Sequence, residues 1–564
     1  MNRAEHLRRI SGRHVQVLVI GGGITGAGVA WDCALRGLSV ALLERTDFAA
    51  GTSSASSKMV HAGLRYMVND PELVREACRE RRRMFAACPH LARPLEYWLP
   101  AYPDTPEYDA ATLPGILARY DELAGGDVSS LHRLIEAGEA LAAMPALRRT
   151  PLRVGSYWDG VMDDARVNLE VILAAAGAGA AVLNHAPVVG FLKSRTGRVH
   201  GVAFRDEDPG APGAEHEVTA DAVVSAAGVY TDLLLSMGEG GPPALRPSKG
   251  IHLVFRSEVT KGRAIVVPVG GNVLYFLVPL RPGYLAMGCT DTDYPVAGYD
   301  GLDHVPSTEE EVRSTLAIFD RVLPGAFPRE KVVACYAGVR PLVRPPQAEG
   351  RALSESDTSR THRIWRTPGG VWAIAGGKYT TFRLMAEQLT DRVVEELGAA
   401  RPCSTADRPY HGAPAADRPA AGLAAIERAF ARRTGLAPNC CRHLASAYGT
   451  SAGEVAGRIE RDPALGERIA ADRPFVLAEM EHAVEREMCR GVADFLARRT
   501  QLRFLEHQGL DVLDKVADRL AVLLGWNAAT RRRQAEEYRE HIRRVTPSLP
   551  PTSVSRKAFP PSVA

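Results

Sequence analysis

Residues 15–20 (VQVLVI) form an apolar run of strand length, followed by the glycine-rich GGGITGAG, a helical pattern reaching about Arg36, and a second apolar run over 39–43 that ends at Glu44. That order predicts a β-turn-α-β unit, with the charged segment MNRAEHLRRISGRH running straight into its first strand. Helical periodicity over 71–90 and 164–178, and strand-like runs at 198–204 and 220–226, continue an alternation of helix and strand. From Gly250 to Tyr294 the texture changes to IHLVF, AIVVPV, VLYFLVPL and YLAMGCT separated by Gly or Pro, which predicts antiparallel sheet. Residues 371–375 (VWAIA) return to a buried strand, and GGKYTTFRLMAEQLTDRVVEEL predicts a glycine turn and a long amphipathic helix. Residues 401–422, rich in Pro, Ala and Gly and without periodicity, read as a linker. Beyond it the pattern is helical. Val476, Met480, Val484, Met488, Val492 and Leu496 recur every four positions and predict one continuous helical stripe, with further helices at 510–525 and 531–544. No internal repeat is seen. The expected organisation is a discontinuous nucleotide-binding domain over 1–400 carrying inserted β-sheet segments chiefly at about 245–345, the linker, a helical domain over 423–545, and a disordered Pro- and Ser-rich tail over 546–564.

Lys and Arg number 69 against 66 Asp and Glu, a formal charge of +3, too balanced for nucleic acid as a partner. The nine cysteines include an adjacent pair, Cys440 and Cys441, but no C-x-x-C spacing, so neither a zinc site nor a disulfide framework is expected and a reducing cytoplasm fits. No secretory signal is recognised at the N-terminus. The longest apolar stretch, Val171 to Leu183, is well short of the ~20 residues of a spanning helix. Any membrane contact is therefore expected to be peripheral.

Gly21, Gly23 and Gly26 form G-x-G-x-x-G between strand and helix, and Glu44 ends the next strand 18 residues after Gly26. The first glycine permits a tight turn, the second close approach of backbone to a pyrophosphate, and the third packing of helix on strand; the acid would accept hydrogen bonds from a ribose. This constellation predicts a dinucleotide without deciding between FAD and NAD.

The segment 52–67 (TSSASSKMVHAGLRYM) narrows the choice. From Gly21 to Met67 the chain resembles the N-terminal signature of the FAD-dependent, quinone-linked glycerol-3-phosphate dehydrogenases, a branch of the D-amino-acid-oxidase-like flavoproteins. The resemblance continues in order through YWDGVMDDARVNL, SAAGVYTD, KGIHLVF, MGCTDTDY, YAGVRPLV, DTSRTHRI and AGGKYTTFR, and VLAEMEHAVEREMCRGVADFLARRTQL is similar to the family's helical C-terminal domain. It implies an α/β fold in which a Rossmann-type FAD-binding domain carries an inserted antiparallel substrate domain and an all-helical C-terminal domain. It also implies non-covalent FAD, with pyrophosphate at Gly21–Gly26, ribose on Glu44, and further cofactor contacts from Thr52, Ser53, Ser54, Ser57, Gly228, Gly376 and Gly377. The Gly376-Gly377-Lys378 turn would place helix-start N–H groups where a reduced flavin carries negative charge.

The implied activity is oxidation of sn-glycerol 3-phosphate to dihydroxyacetone phosphate, with electrons passed to a membrane quinone. Arg65, Tyr66, Arg340, Arg360 and Lys378 stand where similar proteins surround the substrate, and Arg suits phosphate because its planar fork binds two oxygens. His252 and His61 are alternative acceptors of the hydroxyl proton. Arg340 and Lys378 join them as catalytic candidates. Two departures, Ala62 and Tyr379, are expected to narrow the pocket. The chain is expected on the cytoplasmic face of the cell membrane, held at an anionic surface by basic stretches at 490–499 and 531–544, with a homodimer left open. An oxygen-reducing glycerol-3-phosphate oxidase, another D-amino-acid-oxidase-like oxidase, and a flavin-bound sensing protein without turnover are the alternatives.

Overall fold

The computed structural model describes residues 1–67, 69–105, 108–125, 131–210, 213–270, 273–288, 290–344, 361–399, 401–414 and 419–547. The 546–564 tail lies almost wholly outside them. The chain does not run straight into its first strand: Arg3–Ile10 forms a helix capped by Asn2, whose side chain accepts from Glu5 N–H at 3.1 Å. Its Arg3 is buried and donates to the Asn184 carbonyl at 2.8 Å and to Asp206 at 2.7 Å.

The first sheet has Arg13–Ile20 at its centre, flanked in parallel by Val40–Leu43 and Glu215–Ser225. Ala181–Leu183 and Trp372–Gly376 extend it in parallel on either side. Val17, Leu18 and Val19 on the central strand are fully buried, as expected where helices cover both faces of a parallel sheet. Helices Ile24–Leu35, Asp164–Gly177 and Phe382–Glu396 supply apolar residues to one such face. The last strand and helix of this unit thus lie more than 300 residues from the first, since Trp372 closes a sheet begun at Arg13.

The second sheet has ten strands. Leu245–Arg256, Ala264–Pro268, Leu274–Arg281, Tyr284–Gly288, Thr292–Asp293 and Val332–Val343 come from the region predicted as antiparallel sheet. Four more, Met59–Val60, Ala92–Ala101, Arg133–Ile135 and Arg153–Met162, come from earlier in the chain, and Ala92–Ala101 joins Ala264–Pro268 in parallel. Sequence periodicity missed these strands because they pair with chain more than 100 residues away.

In the C-terminal domain the predicted stripe is broken. Val476, Met480, Met488, Val492 and Leu496 are all buried, but the helix Ala478–Glu487 ends at Met488 in the left-handed region (φ 52°). A π-type turn over Asp494–Arg499 follows, its start held by Asp494, whose carboxylate accepts the N–H groups of Arg490 and Gly491 at 2.9 Å each. The break aims two consecutive arginines at one acid: Arg498 Nε and Arg499 Nη1 donate to Asp47 at 2.6 and 2.7 Å. The expected basic patch at 490–499 is therefore largely spent inside the protein. Along 531–544, Arg531, Arg539, Arg543 and Arg544 are likewise paired with Asp514, Glu536 and Asp300. Among the described residues no helix is long and apolar enough to cross a membrane.

Beside Asp47, the His185 imidazole lies 2.9 Å from Asp494. Burial disfavours the His185 cation, but the Asp494 carboxylate outweighs it and raises the pKa above the ordinary value. Burial also disfavours the Asp494 anion, which His185, then Arg498 and Arg499, hold far below the usual range. A histidine raised by folding stabilises below about pH 6.5 and loses that contribution as pH climbs through its folded value; an acid depressed by folding stabilises above about pH 4 and loses it on acidification. Thermal unfolding followed against pH should therefore show greatest stability from this pair between about pH 4 and 6.5, and His185→Gln should flatten the alkaline decline. An unchanged alkaline slope in His185→Gln would refute the assignment.

Candidate active site

The site begins where the central strand ends. Gly21, at φ +112°, turns the chain so closely under Ala226 that a Cβ would stand 2.6 Å from its carbonyl oxygen. A Cβ on Gly26 would overlap the Gly21 carbonyl, so the helix Ile24–Leu35 can start directly on the strand only with glycine there. Glu44 accepts the Gly22 N–H at 2.7 Å and the Thr46 N–H at 2.9 Å, which fixes its carboxylate at the edge of the turn.

A cleft of about 340 Å³ runs from this turn to the second sheet. It is lined by Gly21, Gly23, Glu44, Thr52, Ser53, Ser57, His61, Arg65, Tyr66, Gly228, His252, Arg340, Gly376, Gly377 and Lys378, which brings together most of the residues expected from the sequence. Gly26 lies beneath the turn. Ser54 also does not reach the cleft; its carbonyl accepts Lys58 Nζ at 2.6 Å. Arg360 lies outside the described residues.

The loop hydroxyls serve the protein first. Ser53 Oγ accepts the Ile24 N–H at 2.9 Å and so caps the glycine-motif helix, Thr52 Oγ1 donates to the Val339 carbonyl at 2.7 Å, and Ser57 Oγ lies 2.9 Å from His252 Nε2. His252 is buried with its ring stacked on Tyr336, centroids 4.6 Å apart, and its Nδ1 has no hydrogen-bond partner among the described residues. Such a nitrogen beside a cleft calls for a bound polar group. The His61 carbonyl accepts Thr380 Oγ1 at 3.0 Å.

Three cations converge at the sheet end. Lys378 Nζ donates to the Ala62 carbonyl at 3.1 Å and stands 4.3 Å from the Tyr66 ring centroid. Arg65 Nη2 donates to Tyr66 Oη at 2.7 Å. Arg340, on the strand Val332–Val343, donates to the Thr290 carbonyl at 3.0 Å and to Ser248 Oγ at 3.3 Å, with Asp291 at 3.4 Å. Gly250 makes room for it, since a Cβ there would overlap the guanidinium.

Two expectations are corrected in detail. The helix after Gly376-Gly377-Lys378 starts only at Phe382, because a 3₁₀ turn over Tyr379–Thr381 intervenes; both glycines hold φ near +80°, at +83° and +79°. Ala62 does not narrow the pocket: it is fully buried in the sheet core, its N–H donating to Asp159 at 3.1 Å, whereas Tyr379 does line the cleft and donates to the Asp164 carbonyl at 2.5 Å. Burial raises the Tyr379 phenol well above its usual pKa, so it remains a donor.

Sequence reasoning missed Lys58, which is buried, adopts φ +58°, and pairs with the buried Asp164 beneath the hydroxyl loop. It also missed Arg45, placed 4.9 Å from the ring centroids of both Tyr230 and Tyr299 and bound to Asp303. Nothing in a Ser-rich run or a lone Arg signals such partners; their distances along the chain are too great.

A model of the FAD-dependent oxidoreductases matches residues 16–392, and one of the C-terminal domain of alpha-glycerophosphate oxidase matches 403–531. A glycerol-3-phosphate dehydrogenase of Mycobacterium tuberculosis is 35% identical over 549 residues, covering 96% of this chain and 90% of its own. The chain belongs to the FAD-dependent glycerol-3-phosphate dehydrogenase family. The human mitochondrial glycerol-3-phosphate dehydrogenase is 32% identical, covering 93% of this chain and 73% of its own. The solved glycerol-3-phosphate dehydrogenase of Bacillus halodurans, complexed with FAD, superposes with a TM-score of 0.78 at 28% identity, covering 98% of this chain and 99% of its own. As a member of this family the protein is an FAD-dependent oxidoreductase, and the glycine cradle, the fixed Glu44 and the cleft between the sheets fit that cofactor.

Gly26→Ala should yield protein with little bound flavin, because a methyl group at that position displaces the helix from its turn. Gly177→Ala, where a Cβ meets nothing within 4 Å, should bind flavin normally. Flavin absorbance per mole of purified protein is the measurement, and full occupancy in Gly26→Ala would contradict the packing role.

Proposed function

We propose that the protein oxidises sn-glycerol 3-phosphate to dihydroxyacetone phosphate, using non-covalently held FAD and passing the electrons to a membrane quinone. The observation that supports this most is the placing of Arg65, Arg340 and Lys378 on the same cleft as the glycine turn and Glu44. A phosphate dianion calls for several fixed cations, whereas an amino-acid carboxylate needs one Arg.

FAD, when bound, accepts at N5 the hydride that leaves C2 of the substrate. Arg340 and Arg65 bind the phosphate, and Arg340 is already oriented by Ser248, Thr290 and Asp291. Lys378, held between the Ala62 carbonyl and the Tyr66 ring, faces the negative charge that develops on the C2 oxygen. His252 takes the C2 hydroxyl proton, its ring fixed by Ser57 and Tyr336. Gly376 and Gly377 keep side chains out of the approach to the flavin. His61 stands as the alternative base. A lipid-soluble acceptor requires the protein to rest on the cytoplasmic membrane face, and the surface that does so is not the two arginine-rich stretches, whose charges are paired.

Anaerobic addition of glycerol 3-phosphate to the yellow protein should bleach the flavin, and a short-chain quinone should restore the colour faster than oxygen does. Faster return with oxygen would make the protein an oxidase; no bleaching would remove the substrate assignment. Arg340→Ala and Lys378→Ala should each lose about 2–4 kcal/mol of transition-state stabilisation, read from kcat/KM, while retaining FAD. Near-normal kcat/KM in both would place the phosphate elsewhere.

A further inference from the structure

We propose that the C-terminal helical domain sets the affinity for FAD by gripping the loop 44–51, which makes Asp47, Arg498 and Arg499 positioning residues for the cofactor. This rests on FAD dependence alone and not on the identity of the substrate. Asp47 is fully buried, three residues beyond the acid that edges the glycine turn. Arg498 and Arg499 donate to its Oδ2, and Arg499 Nη2 and Asn184 Nδ2 donate to its Oδ1, both at 2.9 Å.

The loop carries this hold into the cofactor cradle. The Ala49 N–H donates to the Gly22 carbonyl at 3.2 Å, the Glu44 carboxylate receives the Gly22 N–H, and a Cβ on Gly22 would stand 2.8 Å from the Phe48 ring. A shift of Asp47 therefore moves the glycine turn and Glu44 together. A second hold comes through Arg45, bound to Asp303 on the short helix Gly298–Asp303. Asp300 of that helix is clasped by Arg544 of the C-terminal helix at 2.8 and 2.5 Å, and His304 Nδ1 lies 3.0 Å from His541 Nδ1. Both grips come from the helical domain, one directly and one through the inserted helix.

Asp47, His185 and Asp494 bring their ligand atoms within 4.8 Å of one another, a spacing a metal ion could use. Arg498 bridges the two carboxylates and Arg499 also occupies Asp47, so fixed guanidinium charge already fills the place a cation would take. The cluster is thus a structural clamp. A buried carboxylate deprived of its cations is left uncompensated, and the segment bearing it rearranges or admits water. A loop preorganised for its ligand binds it more tightly than one that must be ordered on binding.

The test is FAD titration of full-length apoprotein, with turnover measured at saturating FAD. Arg499→Met should weaken FAD binding by about tenfold or more while kcat at saturation stays within about twofold. Arg499→Lys should recover part of the affinity, and Asp47→Asn combined with Arg499→Met, which removes both charges, keeps the test valid if the single variant fails to fold. Arg458→Met is the control, since Arg458 pairs with Glu481 and Glu485 inside the helical domain and should not alter FAD affinity. Unchanged FAD affinity in both Arg499→Met and the double variant would overturn the proposal. So would equal weakening by Arg458→Met, which would mark a general loss of stability.

Discussion

The contact between Gly26 and the Gly21 carbonyl is the constraint on which the rest of the architecture turns. With no side chain at either residue, the helix Ile24–Leu35 begins on the strand that precedes it, and its first N–H groups open onto the cleft. Glu44, Ser53 and Phe48 all reach back to this turn, through Gly22, Ile24 and Gly22 respectively. Each neighbouring loop is thereby referenced to one backbone feature, and the cofactor's polar end inherits that precision.

The two sheets divide the work. The parallel sheet ends in turns that cradle a dinucleotide, whereas the antiparallel sheet presents Arg340 on a long strand whose register with Leu245–Arg256 places Ser248 opposite it and His252 opposite Tyr336. Fixed cations on rigid strands need little reorganisation as charge develops, which is how a preorganised site accelerates a reaction. The helical domain lies outside this chemistry yet touches it through buried charges at Asp47 and paired side chains at Asp300.

Much of this was legible in the sequence where the signal is local. The glycine motif, its flanking strands and Glu44 lie within one short stretch, and steric need for glycine is written in residue type. The order of matching blocks brought Arg65, His252, Arg340 and Lys378 to one cleft, though nothing in their spacing would have done so alone. What escaped notice depends on distant partners. The Ser53 hydroxyl was read as a cofactor contact, but it caps a helix begun 29 positions earlier. The stripe from Val476 to Leu496 kept its period while the backbone broke at Met488, because Arg498 and Arg499 had to meet an acid some 450 positions away. Lys58 and Ala62 acquired their meaning only from Asp164 and Asp159. Periodicity reports which residues are buried; it does not report against what.

The central claim is that the cleft aligns C2 of glycerol 3-phosphate for hydride loss while the protein removes the hydroxyl proton. Its most direct test is the anaerobic rate of flavin bleaching with substrate deuterated at C2, compared with the unlabelled compound in the same protein. The account predicts a clearly slower bleaching with the deuterated substrate at saturating concentration. Equal rates from the two, under conditions where bleaching is limited by chemistry and not by binding, would contradict it.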